Sequence, residues 1–344
     1  MASDVIVVGG GVIGLTTAVV LAEGGYGAPG RGGAGPARRP GRRVTVWTRD
    51  AAADTTSAVA GGLWWPYRIE PMARVGRWSL ETLRVLTALA GRQDGGAGPG
   101  AGPEDTGHPG VRLATGTQCG IRRADLGPWA AEVSGLRPAG PAELPAGVRH
   151  GVRARVPLVD MVTHLDYLRR RLKASGGEVV ERRAASLREA ADHAPTVVNC
   201  TGLGARELVP DPRVRPVQGQ LVIVENPGVE EWTVSADHTS ADTAYLIPQP
   251  YGLVLGGTAR EDVWETGPDP ATAEAIVARC ARLHPAVASA RVLGHRVGLR
   301  PARPAVRLAA ERLGGARVVH NYGHGGAGVT VAWGCAREAA RLAG

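Results

Sequence analysis

Arg300 is the residue whose neighbours best fit it for chemistry. It stands in Gly298–Pro304, GLRPARP, ahead of Val318–Thr330, VVHNYGHGGAGVT. Gly298, Gly323, Gly325, Gly326 and Gly328 surround a strand ending and a helix beginning. Bare backbone of this kind can be brought against a flat or phosphorylated ligand. A guanidinium beside it is the natural partner of a carboxylate, although within GLRPARP alone a salt bridge on a strand reads equally well. Tyr245, in AYLIPQPYG at the head of another strand, adds a phenol.

The elements that must hold these residues can be followed along the chain. Val5–Val8 is a short run of β-branched residues, followed by Gly9-Gly10-Gly11-Val12-Ile13-Gly14 and LTTAVVLAEGG. This pattern predicts a buried parallel strand, a tight turn and a buried helix ending at Gly24 or Gly25. Gly9, Gly11 and Gly14 take the GxGxxG positions around Val12 and Ile13. Missing side chains there permit the turn, the approach of a pyrophosphate and close packing of helix on strand. Motif, strand and helix agree on a dinucleotide site, and the distant glycine stretch must then complete it. After the second strand, Val44–Trp47, Asp50 sits late for the acid that holds a ribose. Arg49 can instead meet a phosphate or stack on adenine, which leaves NADP open. Thr55, Thr56 and Ser57, in DTTSAVAGGLWWPY, can donate to phosphate or ribose, or can form a capped turn before a helix. Thr201-Gly202, where the strand in TVVNCTGLGA breaks, likewise reads either as backbone meeting a cofactor or as a plain turn.

Other segments supply the frame. Pro71–Leu89 predicts a helix with Trp78, Leu80, Leu83, Leu86 and Leu89 toward the core. Asp160 can cap a helix carrying Met161, Leu165, Leu168 and Leu172, ended by Gly176 and Gly177, with His164 packed among them rather than serving as a ligand. Strands are expected at Gln218–Glu225 and Thr243–Thr258, with turns at Pro248–Gly252 and at Gly256-Gly257. A helix at Pro270–Leu283, a return strand at Arg291–His295, a strand at Val318–His320 and a helix at Val329–Leu342 complete the pattern. His320 and His324 are four apart, but the glycines around them oppose a helical metal pair, and no GxSxG elbow is present.

Composition narrows the class. A chain of 344 residues, 44% hydrophobic, is long enough for two substantial cores. Five of the eight excess positive charges lie between residues 31 and 43, at Arg31, Arg38, Arg39, Arg42 and Arg43, with no acid among them. That run lacks interleaved aromatics, so it reads as a solvated insertion rather than a nucleic-acid arm. The Gly/Pro-rich runs 25–43 and 91–110 look like insertions of this kind. Cys119, Cys200, Cys280 and Cys335 show no CxxC spacing, which argues against a zinc site or a disulfide framework. No apolar run reaches membrane-spanning length, so no membrane is expected and the cytoplasm is the default location.

Taken together, VIVVGGGVIGLTTA, DTTSAVAGGLWWPY, VVNCTG, AYLIP, GLRPARP and HNYGHGGAGVT ending in WGCAREAARL resemble the FAD-dependent D-amino-acid oxidases, with the D-aspartate oxidases beside them. The pieces occur in family order over nearly the whole chain. The resemblance implies a mixed α/β and α+β protein: a Rossmann-like FAD-binding domain of discontinuous segments (1–70, 151–210 and 290–344) and an inserted, mainly antiparallel substrate domain (71–150 and 211–289). It places Gly9, Gly11, Val12, Ile13 and Gly14 at the pyrophosphate and Arg49 and Asp50 beside the adenosine. Thr55, Thr56, Ser57, Gly62, Leu63, Thr201 and Gly202 would line the FAD, and Gly325, Gly326, Gly328, Val329 and Thr330 would close over the flavin. Arg300 would hold the substrate carboxylate with the Tyr245 hydroxyl, and the carbonyl of Gly326 would accept from the amine. The expected partners are a D-amino acid, neutral in the first reading with D-aspartate or a glycine/sarcosine-type amine as the alternatives, and O2, with a homodimer as the assembly considered. An imino acid, hydrolysed to a 2-oxo acid and ammonia, and hydrogen peroxide are the products implied. Two departures stand out: Ala241 where vertebrate members carry a second tyrosine, and Trp65 where a smaller polar residue is common.

Overall fold

The computed structural model describes residues 3–24, 41–91, 107–235 and 242–344. Most of the two Gly/Pro-rich insertions, and Ala241, lie outside them.

Buried β-branched runs open the fold. β1 (Val5–Val8), α1 (Val12–Ala22) and β2 (Val44–Thr48) are followed by α2 (Thr56–Val59) and α3 (Met72–Gly91). Then come β3 (Val111–Cys119), β4 (Arg137–Pro138), β5 (Gly151–Val159), α4 (Met161–Ala174), β6 (Glu178–Glu181), α5 (Leu187–His193), β7 (Thr196–Asn199) and α6 (Ala205–Leu208). The last third holds β8 (Arg215–Val224), β9 (Trp232–Ser235), β10 (Asp242–Gln249), β11 (Gly252–Thr258), β12 (Arg260–Glu261), α7 (Pro270–Leu283), β13 (Val292–Leu313), β14 (Ala316–His324) and α8 (Gly328–Leu342).

The strands join in one sheet that changes character across its width. β6, β2, β1, β7 and β14 are parallel neighbours, the arrangement expected of strands connected by crossover helices. β1, β2 and β7 are buried along their whole length, whereas the edge strand β6 is largely exposed. Val5 and Val7 pack with α1, α4 and α8, while Ile6 and Val8 pack with α5. From β14 outward the order is β13, β8, β11, β10, β9, β3, β5 and β4, and every contact there is antiparallel except β9 with β3. β5, counted with the cofactor segments in the sequence division, lies in this antiparallel part.

Two local expectations change. The return strand near Arg291–His295 is only the start of β13, which runs 22 residues straight through GLRPARP. Its first half pairs with β8 and its second with β14; Pro301 lies opposite Pro216 of β8, and a register shift between Ala302 and Arg307 absorbs Pro304. Gly256-Gly257 is not a turn but the end of β11, where Gly256 pairs with Tyr245. Those glycines make room instead of reversing the chain.

α1 is apolar nearly all round, which is tolerable only because α8 and α4 cover it. α8 in turn crosses α3 so closely that a Cβ on Gly334 would stand 2.3 Å from Trp78 Cα and 2.4 Å from its carbonyl oxygen. Backbone cannot yield there as a side-chain tip would. Gly334→Ala should therefore cost about 1–3 kcal/mol, read as a lower denaturant midpoint at unchanged m. Among the described residues no helix is long and apolar enough to cross a membrane.

Candidate active site

At the carboxyl ends of the parallel strands, where β2 and β7 depart on either side of β1, lies a cavity of about 1210 Å³. Such a crevice is where open α/β sheets bind ligands. It extends past the parallel strands to the faces of β8, β10 and β13, so both ends of the chain line it.

Every proposed site residue except Gly14 and Thr330 lines this cavity. The exclusion of Gly14 is physical: a Cβ there would stand 1.8 Å from the Gly9 carbonyl oxygen, so its role is to let α1 close onto the turn. Gly9 itself needs φ +116°. Thr330 is buried because its hydroxyl is spent on the Trp65 backbone, donating to the carbonyl at 3.1 Å and accepting from the N–H at 3.3 Å. Trp65, held so, is wedged edge-on against Trp129 and beside Trp232 while still lining the cavity.

Two helix starts face the space. α1 begins at Gly11 with no side-chain cap of its own, although the Val12 N–H donates to Ser57 Oγ at 2.9 Å. α8 begins after Gly325-Gly326 and also lacks a side-chain cap. Their free N–H groups and dipoles suit anionic oxygens. Thr55 Oγ1 donates to the Ala52 carbonyl and so closes a turn, whereas Thr56 Oγ1 donates to the Leu299 carbonyl and ties α2 to β13. Thr201 donates through both its N–H and its hydroxyl to Asn199 Oδ1.

Arg49 and Asp50 grip each other, Nε and Nη2 each 2.8 Å from one carboxylate oxygen. That pairing holds Asp50 below its ordinary range. Beside them Arg182 stacks 3.9 Å over the Trp47 ring. Arg182 and Trp47 line the same end of the cavity and were not among the expected residues. No local motif marks an arginine just past a strand for such a place; only the pairing of β2 with β6 does.

At the other end Arg300 lies next to Tyr245. The salt bridge that a strand arginine might make is not found: among the described residues no carboxylate pairs with Arg300, and its Nη1 donates to the Thr258 carbonyl at 2.8 Å. Burial raises the Tyr245 phenol more than Arg300 lowers it, so it keeps its proton at neutral pH and can donate. Arg303 and Arg307 are committed elsewhere. Arg303 Nε and the Tyr322 hydroxyl both donate to Asp211, at 3.0 and 2.9 Å, and Arg307 Nη1 donates to the Tyr322 hydroxyl at 2.9 Å. This cluster rivets the irregular stretch of β13 behind the glycine loop.

Asp211 makes the cluster pH-sensitive. Burial would raise its pKa, but hydrogen bonds from Tyr322, Arg303 and the Arg213 backbone outweigh it and bring it to about 2. A folded value below the unfolded one stabilises above the unfolded pKa and loses that stabilisation as pH falls through the folded value. Asp211 should thus contribute about 2 kcal/mol at neutral pH, lost between roughly pH 4 and 2. Asp211→Asn should flatten the acid limb of stability against pH, measured by thermal melts across that window.

Two buried polar atoms without a partner, His324 Nε2 and Asn321 Oδ1, belong to residues that line the cavity. Burial pulls His324 down to about 3, so its imidazole is neutral. A large crevice with a glycine turn, two uncapped helix starts and orphaned polar groups fits a dinucleotide. The model of the FAD dependent oxidoreductase family matches residues 4–342. The chain belongs to that family. FAD is accordingly its cofactor, and the FAD-dependent oxidoreductase fold is the one described above.

Relatives cover the full chain. A D-amino-acid oxidase of Streptomyces coelicolor is 57% identical over 343 residues, 99% of this chain and 96% of that protein. One from Rubrobacter xylanophilus is 46% identical, covering 98% and 95%. The D-aspartate oxidase of Homo sapiens is 34% identical, covering 98% and 93%. Among solved structures, glycine oxidase from Geobacillus kaustophilus superposes with a TM-score of 0.75 at 17% identity, over 99% of this chain and 94% of the other, a likeness of fold.

Proposed function

We propose that this FAD-dependent oxidoreductase is a D-amino-acid oxidase acting on substrates with neutral side chains. The observation that carries it is the placing of Arg300 and Tyr245 in the same cavity as the glycine turn of α1, with no carboxylate among the described residues paired to Arg300. Full-length identity to two D-amino-acid oxidases supports the activity.

Arg300 offers a charged fork to the substrate carboxylate, and Tyr245 adds a phenolic donor. The Gly326 carbonyl accepts from the amine, which fixes which hydrogen of Cα is presented. These contacts need no catalytic base, since a neutral amine expels the Cα hydrogen with its electron pair and then loses a proton. FAD, when bound, supplies the two-electron acceptor and passes those electrons to O2. The imino acid hydrolyses in water to a 2-oxo acid and ammonia, and peroxide is the other product. The residues' share is orientation and electrostatics.

The residues beside Tyr245 in the ladders support a neutral side chain: Leu221, Val234, Thr243 and Ile247 line the cavity there and are uncharged, while Arg68 and Glu261 line it as well. On this proposal the parallel strands form the cofactor domain, the antiparallel strands the substrate domain, and β13 belongs to both. The deciding experiment is the anaerobic visible spectrum with D-valine, L-valine and D-aspartate in separate cuvettes. Bleaching by D-valine alone is expected. Bleaching by D-aspartate would move the substrate to the acidic class, and a flavin unmoved by all three would overturn the proposal.

A further inference from the structure

The two side chains assigned to the substrate carboxylate rest on backbone that has no side chain. A Cβ built on Gly219 would stand 2.3 Å from Nη2, 2.4 Å from Cζ and 2.5 Å from Nη1 of Arg300. The plane of the guanidinium therefore fills the volume that a side chain at 219 would take. A Cβ on Gly256 would stand 1.9 Å from Cζ, 2.2 Å from Cε2 and 2.3 Å from the hydroxyl oxygen of Tyr245. Real Cβ atoms essentially never approach within 3.0 Å.

Neither glycine has positive φ, although the Gly256–Gly257 peptide bond is cis; what Gly219 and Gly256 share is the crowding at the missing Cβ. The ladder registers show how the arrangement arises. Gly256 on β11 pairs directly with Tyr245 on β10 and with Leu221 on β8, two residues from Gly219. On the other side of β8, Gly219 pairs with Gly298, and Arg300 pairs with Val217. Arg300 thus leans diagonally across β8 onto Gly219. Its Nη1 is held by the Thr258 carbonyl, and its Cδ would be 3.2 Å from a Cβ on Gly326.

We propose that Gly219 and Gly256 are positioning residues. They set the depth at which Arg300 and Tyr245 present donors to a carboxylate ligand. This rests on the reading that Arg300 and Tyr245 bind the substrate carboxylate. An alanine at 219 lifts the guanidinium by about an ångström, a displacement that elsewhere costs on the order of a hundredfold in rate.

A double-mutant cycle on the FAD-loaded protein tests it, using Gly219→Ala, Arg300→Ala and their combination. Gly294→Ala serves as control, because a Cβ there meets nothing within 4 Å. The measurements are the melting temperature and the Kd of 2-oxoisovalerate, the product expected from D-valine, read from the flavin difference spectrum. Gly219→Ala should raise that Kd roughly ten- to a hundredfold, the worth of one hydrogen bond to a charged group, and lower the melting temperature. Once Arg300 is alanine, the same change at 219 should affect neither, because the colliding group is gone. Equal thermal losses in both backgrounds, or unchanged oxo-acid binding in Gly219→Ala, would overturn the proposal. If Gly219→Ala alone does not fold, recovery in the double variant supports the seat and failure of both overturns it. Wild-type protein that binds no 2-oxo acid overturns the carboxylate reading alone, and the thermal cycle then decides the seat.

Discussion

Arg300→Met should lose about a thousandfold in kcat/KM with D-valine while keeping its flavin. The estimate follows from truncating one partner of a desolvated charge pair, about 2–5 kcal/mol, with 4 kcal/mol near a thousandfold. Most of that loss belongs to the substrate carboxylate left without a donor. Within the protein itself Arg300 gives up its hydrogen bond to the Thr258 carbonyl, worth about 1 kcal/mol, and its contacts with Tyr245 and Gly219. Stability should therefore change little while turnover collapses, and the flavin spectrum should be that of the parent protein. Steady-state kinetics together with a thermal melt checks both halves. A large fall in melting temperature with modest kinetic change would make Arg300 a strand residue and nothing more.

Gly14→Val should act on the cofactor instead of the substrate. The Gly9 carbonyl oxygen occupies the place of the new Cβ, and both atoms are fixed, one by the turn and the other by α1. To admit valine, α1 must withdraw from the glycine turn, carrying with it the N–H groups that face the cavity. Overpacking of this sort costs about 3 kcal/mol at the upper end of the usual range, which if taken from cofactor binding is two powers of ten in Kd. The purified variant should come out pale, with FAD lost on gel filtration, and fluorescence titration with added FAD should give the weakened Kd. Valine at 14 that leaves a fully yellow protein would show that the turn has slack the structure does not suggest.

The two variants also mark how far the sequence could be read. Gly14 was legible because its reason is local: strand, turn and helix lie within twenty residues, and the spacing states the geometry. Arg300 and Tyr245 were legible as residue types beside glycine loops, and the family motifs assigned their roles. Their neighbours were not legible. Gly219 lies in a strand and Gly256 at a supposed turn, and nothing along the chain says that β8 separates β11 from β13. Arg182 and Trp47 were missed for the same reason, since 135 positions of chain separate groups that touch through one pairing of parallel strands. The length of β13 was hidden by its prolines, of which Pro301 lies opposite Pro216 and Pro304 falls where the register shifts. Periodicity describes a strand's faces but not its partner across the ladder.

β13 carries one more consequence. A single unbroken run of 22 residues is hydrogen-bonded to β8 along its first half and to β14 along its second. The proposed substrate wall and the proposed cofactor sheet are therefore joined through one strand whose two ladders meet at Ala302, with the buried Asp211 cluster pinned at the join. A hinge between them would have to bend β13 at that join and pull apart the Arg303–Asp211–Tyr322 contacts. Substrate entry and product escape must accordingly proceed without any swing of one half against the other, and small-angle scattering profiles of the holoenzyme with and without 2-oxo acid should superimpose.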